Sequence, residues 1–193
     1  TWLLGKTCVS VSSVGSTYLF DRAHAPEGAA PYCLGGCKAK ESCVFDAEKI
    51  YITDPRTGVR HGNTWMAGVA CGTDPTEEKT YAALRNGPYG RCVYQCDNDV
   101  VDHQQTNLLF ADGATMSFTM CAFTENCYRY FKAMGTKGEI EADMRSNEIH
   151  IRVFGEAEEV VDVAKLADDL KGHGGGDSGI VQDFLEMLIE ERG

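Results

Sequence analysis

The chain has 193 residues, of which 43% are hydrophobic and 24% charged, with a formal net charge of -11. With no basic stripe to displace counterions from a phosphate backbone, that acidity excludes a nucleic-acid-binding role. No apolar run is long enough to span a bilayer, and the nine cysteines are odd in number and irregularly spaced. These features exclude a membrane segment and a full disulfide framework, and lead us to expect a reducing, cytoplasmic setting.

Trp2, Leu3 and Leu4 read as a helix already under way, so a fragment or processed product is expected. Val9 and Val11 alternate with Ser10 and Ser12, the period of a strand with one buried face. Residues 21–43 are rich in Gly, Pro and Cys and read as a long ordered excursion, of the kind that is functional or needs an extra staple. Within it Cys33, Cys37 and Cys43 stand at C-x3-C-x5-C, followed later by Cys92 and Cys96. Thiolate-rich loops can hold zinc tetrahedrally, and Cys33, Cys37, Cys43 and Cys92 are the candidate ligands. The spacing departs from the tight C-x2-C of zinc ribbons, so reduced cysteines in a loop and strand are the competing reading. Residues 44–52 read as a short helix. Residues 76–86 read as a firmer one, opened by Pro75 and stopped by Gly87-Pro88.

Asp97, Asp99, Asp102 and His103 supply paired carboxylates and an imidazole. As neighbours on a strand, however, Asp102 and His103 are expected to point to opposite faces, and 97–99 reads as a surface turn. In ATMSFTMCAF, Met116, Phe118 and Met120 share an apolar face, while Thr115, Ser117 and Thr119 form a small polar one. Asp112-Gly113 before it is a hairpin turn. Further strands follow in YRYFKAM, EIEADM and NEIHIRVF, where His150 reads as a solvent-facing sheet residue. Cys121 and Cys127 are expected to pack as small hydrophobes. In the last helix Ile180, Val181, Phe184, Met187 and Leu188 have the spacing of a buried stripe, with Asp177 or Ser178 as N-cap. Ahead of it lies GHGGGD, residues 172–177. It is no dinucleotide fingerprint, because Asp177 takes the last glycine position and no parallel βαβ unit precedes it. Two readings compete here: a flexible loop with a helix cap, and a glycine-lined approach presenting His173 and Asp177 to a ligand. The series of strands with short turns predicts an α+β fold, an open, largely antiparallel sheet with helices packed on one face.

The run from YGRCVYQCDNDVVDHQQ to GTKGEIEADM, with IRVFG and GHGGGDSGIVQDFL after it, resembles the C-terminal half of the Gfo/Idh/MocA family of NAD(P)-dependent oxidoreductases. The opening TWLLGK resembles the end of the helix after that family's catalytic histidine. The resemblance implies that residues 1–193 form one C-terminal substrate-binding and oligomerisation domain. The Rossmann domain with NAD or NADP, the catalytic lysine and the catalytic histidine would then lie outside this chain. It implies a sugar, inositol or related polyol as substrate and homo-oligomers built through the open sheet; from charge and apolar run length, no membrane or nucleic-acid partner is expected. His173 would bind or exchange a proton with a substrate hydroxyl, and Asp177 would cap the helix and reach the pocket. Two alternatives stand beside it: an NAD-dependent glycoside hydrolase or lyase of the same superfamily, and a non-enzymatic, zinc-stapled assembly module.

Overall fold

Alternating valines and serines give β1 its extended form over Cys8–Ser16, and this strand pairs with a distant one, β2 (His103–Phe110). The computed structural model of the protein describes residues 3–166 and 175–190. Strand β2 turns at Asp112-Gly113 into β3 (Thr115–Cys121), making an antiparallel three-stranded sheet of order β1-β2-β3. Gly113 takes φ 88°, which a side chain would resist, and Asp112 Oδ1 accepts the Ala114 N–H across the turn. A second antiparallel sheet is a meander of β4 (Tyr130–Met134), β5 (Gly138–Asp143), β6 (Glu148–Val153) and β7 (Glu159–Asp162). Two antiparallel sheets and a few helices make this an α+β chain, and no helix among the described residues is long and apolar enough to cross a membrane.

The chain divides into two units, Thr1–Phe123 and Thr124–Gly193. In the first, the long connection between β1 and β2 carries two helices, α1 (Trp65–Cys71) and α2 (Glu77–Asn86). Thr76 caps α2, its hydroxyl accepting the Lys79 N–H, and the chain leaves the helix at Gly87 as the Gly-Pro stop predicts. Ile52 and Leu84, fully buried, join Cys33 and Ala47 in a small core against which Leu34, Tyr51, Val59 and Tyr81 pack. Burial of a side chain such as Leu84 contributes about 1.5–3 kcal/mol. Gly90 lets the segment after α2 fold onto the helix end: a Cβ there would lie 1.6 Å from the Leu84 carbonyl oxygen.

Several expectations shift. Leu3 and Leu4 lie in a turn and not in a helix. The helix expected over 44–52 is a π-helical turn at Lys49–Thr53, begun where Asp46 Oδ1 accepts the Lys49 N–H. Helix α1 escapes sequence reading because Gly68 and Val69 are poor helix formers; it closes at Gly72, φ 85°, and buries Ala67. Strand β7 is only four residues long and is held by its register to β6. The apolar side of the three-stranded sheet was expected to meet a core, yet Val11, Met116 and Phe118 are all exposed. Cys127 is exposed as well, while Cys121 is half-buried.

In the second unit, α3 spans Gly176–Glu190. Its apolar stripe has the helical spacing, but Ile180, Val181, Phe184 and Met187 are exposed. Asp177 lies in the first turn and not at the cap, because the backbone already turns helical after Gly175 (φ 88°). A carboxylate there favours the positive end of the helix dipole.

Candidate functional site

The strand that should separate Asp102 from His103 begins only at His103, so the alternation that sends neighbours to opposite faces does not apply to the pair. Main-chain bonds from Asp102 N–H to the Ser16 carbonyl (3.0 Å) and from Ala122 N–H to the Asp102 carbonyl (2.7 Å) pin the residue at the head of the sheet. Its side chain is buried and turns back to the loop after β1. There Oδ2 accepts three successive N–H groups, from Tyr18 (2.9 Å), Leu19 (2.7 Å) and Phe20 (3.0 Å). Three converging N–H groups form an anion nest in the main chain. Oδ1 stands 3.0 Å from His103 Nδ1. Burial pushes the Asp102 carboxyl pKa up, but the His103 ring and the three N–H groups outweigh it and hold the group well below the usual carboxylate range.

A second carboxylate–imidazole pair lies in the same loop. Asp21 caps a short 3-10 turn over Arg22–His24, accepting the Ala23 and His24 N–H groups at 2.8 and 3.1 Å, and Oδ1 is 2.9 Å from His24 Nδ1. The His24 ring, with those N–H groups, outweighs desolvation and holds the Asp21 carboxyl below its ordinary pKa. The Tyr18 ring joins the pairs, with centroids 5.6 Å from His24 and 5.8 Å from His103. In both pairs the Nδ1 is engaged by a carboxylate. The neutral ring then donates through Nδ1 and keeps the Nε2 lone pair for another donor.

Behind this cluster Phe20 packs edge-on against Phe45 and Phe123 and is tilted against Tyr94. A shallow, open depression beside Phe20 is lined by Val93, Cys96, Asp97 and Asn98 as well. One face of the three-stranded sheet carries a set of polar side chains in register with His103. Register places His103 beside Ser16, Gln105 between Val14 and Thr119, and Asn107 between Ser12 and Ser117. Thr119 donates to Gln105 Oε1 at 2.6 Å and Ser117 to Asn107 Oδ1 at 2.7 Å, leaving both amide N–H2 groups on an exposed surface. The result is a neutral row of hydroxyls and amides that ends at an imidazole.

Of the residues singled out in the sequence, His173 lies outside the described residues, and Asp177 is on the exposed first turn of α3. Asp97 is a surface residue bonded to Arg91 at 2.6 Å, and residues 97–99 are exposed as expected but form an irregular segment and not a turn. His150 is not simply solvent-facing: it is half-buried between Glu148 and Glu158. All nine cysteines are free thiols, with Cys33 and Cys92 buried and Cys37 and Cys43 half-buried. Among the described residues, no group of three or more His, Cys, Asp or Glu side chains, Cys33, Cys37, Cys43 and Cys92 included, is placed to hold a metal ion. Tyr18, Asp21 and His24 escaped sequence reading, although D-x-x-H at 21–24, one turn apart, is the signal that marks them. No family model, curated protein or solved structure matches the chain, so the site stands on its own geometry.

Proposed function

We propose that this chain is the substrate-binding and oligomerisation domain of an oxidoreductase acting on a sugar, inositol or related polyol. NAD or NADP would be bound by a Rossmann domain outside the chain. The observation that carries the reading is the Asp102-held His103 at the end of a neutral hydroxyl-and-amide row, with Asp21–His24 a tyrosine ring away. A polyol presents hydroxyls at short intervals without charge. Its complement is a set of neutral donors and acceptors, a rigid aromatic face and an acceptor for the hydroxyl to be oxidised. His103 Nε2 receives a hydrogen bond from one hydroxyl, while the Gln105 and Asn107 amides donate to its neighbours. The nicotinamide, when bound, supplies the hydride acceptor. The resemblance of GTKGEIEADM and GHGGGD to Gfo/Idh/MocA proteins supports this class, and with it the expectation that the antiparallel sheets belong to that family's open-sheet domain. Under this reading the exposed apolar side of the sheet, with Val11, Met116 and Phe118, pairs with a second copy.

Calorimetric titration of the chain with inositol and with monosaccharides is expected to show binding that His103→Gln weakens about ten-fold, the loss of one good hydrogen bond. Titration with NAD(H) is expected to show no tight binding. Unchanged polyol affinity in His103→Gln would remove the residue from the site. In the protein joined to its nucleotide-binding domain, net cofactor reduction separates a dehydrogenase from a redox-neutral glycoside hydrolase or lyase. There, His173→Ala is expected to lower kcat/KM and leave cofactor affinity unchanged.

A further inference from the structure

The polar row that starts at His103 is longer than a monosaccharide. His103, Gln105 and Asn107 alternate along β2 and share one face of the sheet. A rise of about 3.4 Å per residue sets the Cα atoms of Gln105 and Asn107 about 7 and about 14 Å from that of His103. Gln105 and Asn107 are both exposed, and the hydroxyls of Thr119 and Ser117 hold their amide oxygens, so that the N–H2 groups are left for a ligand. Their other neighbours in register are Val14, 78% exposed, and Ser12; no charged residue stands opposite either amide, in a chain of net charge -11. On the opposite face the corresponding amide is spent within the sheet: Gln104 donates to Ser13 Oγ at 2.7 Å, and Ser13 shares a hydrogen bond with Thr106 at 2.9 Å.

A different surface lies past the head of the row. Ser16, the last residue of β1, stands opposite His103, and Thr17 Oγ1 then donates to the Val100 carbonyl at 2.7 Å, which carries Tyr18 beyond the first residue of β2. The Tyr18 N–H is fixed on Asp102 Oδ2, and its ring meets those of His103 and His24. Tyr18 nevertheless remains 60% exposed, and the side chains of His24 and His103 remain 42% and 41% exposed. An aromatic face, negative at its centre, complements the C–H face of a saturated ring. His103 thus stands between two unlike surfaces, one of a phenol and an imidazole, the other of amides and hydroxyls.

We propose, on the basis of the polyol reading above, that the ligand is a neutral glycoside of at least two sugar units bound across His103. One ring lies on Tyr18 and donates a hydroxyl to His24 Nε2. The second unit runs along β2, where the Gln105 and Asn107 amides donate to its hydroxyls and Val14 meets its C–H groups. The second unit is itself a sugar, because an apolar aglycone would leave those amides without acceptors. His103 Nε2 stands at the junction and accepts from a hydroxyl beside the glycosidic bond.

The test is calorimetric titration of the whole chain with inositol and glucose, and with maltose, cellobiose and gentiobiose, which are glucose dimers differing in linkage. At least one dimer is expected to bind about ten-fold more tightly than glucose, the gain of a further good hydrogen bond or two. Asn107→Ala is expected to bring that dimer back to the affinity of glucose and to leave glucose binding unchanged. Ser117→Ala, which removes only the hydroxyl orienting the Asn107 amide, is expected to give the same split at smaller size. Tyr18→Leu is expected to weaken glucose and dimer alike, since a lone ring takes the tyrosine side. Monosaccharide binding with no dimer tighter than glucose would overturn the two-unit ligand and leave the polyol reading standing. Equal weakening of glucose and dimer by Asn107→Ala, or unchanged affinities in Tyr18→Leu, would also overturn it. Failure of all five compounds to bind would overturn both. The comparison of ligand lengths uses the unaltered chain and needs no variant to fold.

Discussion

The two antiparallel sheets share a topology and differ in the chemistry of their polar rows. The three-stranded sheet carries neutral groups in register, Ser12, Asn107 and Ser117 in one row and Gln105 and Thr119 in the next. On the four-stranded sheet, Lys132 pairs with Glu139 at 3.0 Å and with Glu141 at 2.8 Å, and Arg152 pairs with the same two carboxylates at 3.1 and 2.7 Å. Tyr130 adds its hydroxyl to Glu141 at 3.0 Å. The charged lattice is closed upon itself, each cation answering carboxylates on the neighbouring strand. The neutral rows leave donors unspent. The closed lattice holds its strands together, and the unspent donors of the neutral rows are the groups that the polyol binding proposed above would use.

The contrast can be broken most forcefully at Asp102, where one carboxylate ties the neutral sheet to the loop after β1. Asp102→Asn cannot accept three N–H groups and the His103 ring as the ionised carboxylate does, and is expected to lower Tm by on the order of 10 °C in differential scanning calorimetry. No single half-buried carboxylate of the charged lattice should approach that loss; a Glu141→Gln change of equal size would sink the distinction.

Acid provides the next test. The Lys132, Arg152 and Tyr130 hydrogen bonds hold Glu141 at about 2, well below the ordinary carboxylate value. The Arg145 side chain holds Asp143 at about 2 as well. A depressed pKa in the folded chain gives stability that is complete above the unfolded pKa of roughly 4 and is lost as pH falls towards the folded value. Hydrogen exchange in β4–β6 is therefore expected to accelerate between pH about 4 and about 2, and Glu141→Gln to flatten that rise. The rows at Gln105 and Asn107 contain no group that titrates there, so Gln105→Met is expected to leave the acid response of the neutral sheet unchanged.

Smaller effects follow. Thr119→Val removes the donor that orients Gln105 and is expected to weaken polyol binding by a few-fold, with Tm nearly constant. Molar sodium chloride, by screening exposed pairs, is expected to lower the stability of the charged sheet by only a degree or two and to leave polyol affinity untouched. A salt-dependent polyol affinity would mean that a charged group contributes to binding.

How far each region was legible follows the same physics. Strand β3 and the turn at Asp112-Gly113 could be read because alternation and turn chemistry are local, and α2 because Thr76 and Gly87-Pro88 mark its ends. The site could not be read the same way. Asp102 and His103 form a pair because the strand starts between them, a boundary that alternation does not reveal. Likewise Tyr18 meets His103 only because β1 and β2 pair across the long excursion, with Ser16 opposite His103. The exposed apolar stripe of α3 was legible as a stripe, but periodicity says that a face is apolar, not what covers it.

The tyrosine between the two imidazoles has a spectroscopic consequence. An aromatic ring displaces the resonance of any proton held over its face or edge, and Tyr18 lies within 6 Å of both His24 and His103. Their ring C–H signals should therefore stand apart from those of His61 and His150. The domain carries its own unlabelled reporter. A ligand that moves the Tyr18 ring would shift two histidine resonances together, and one that touches a single imidazole would shift only one.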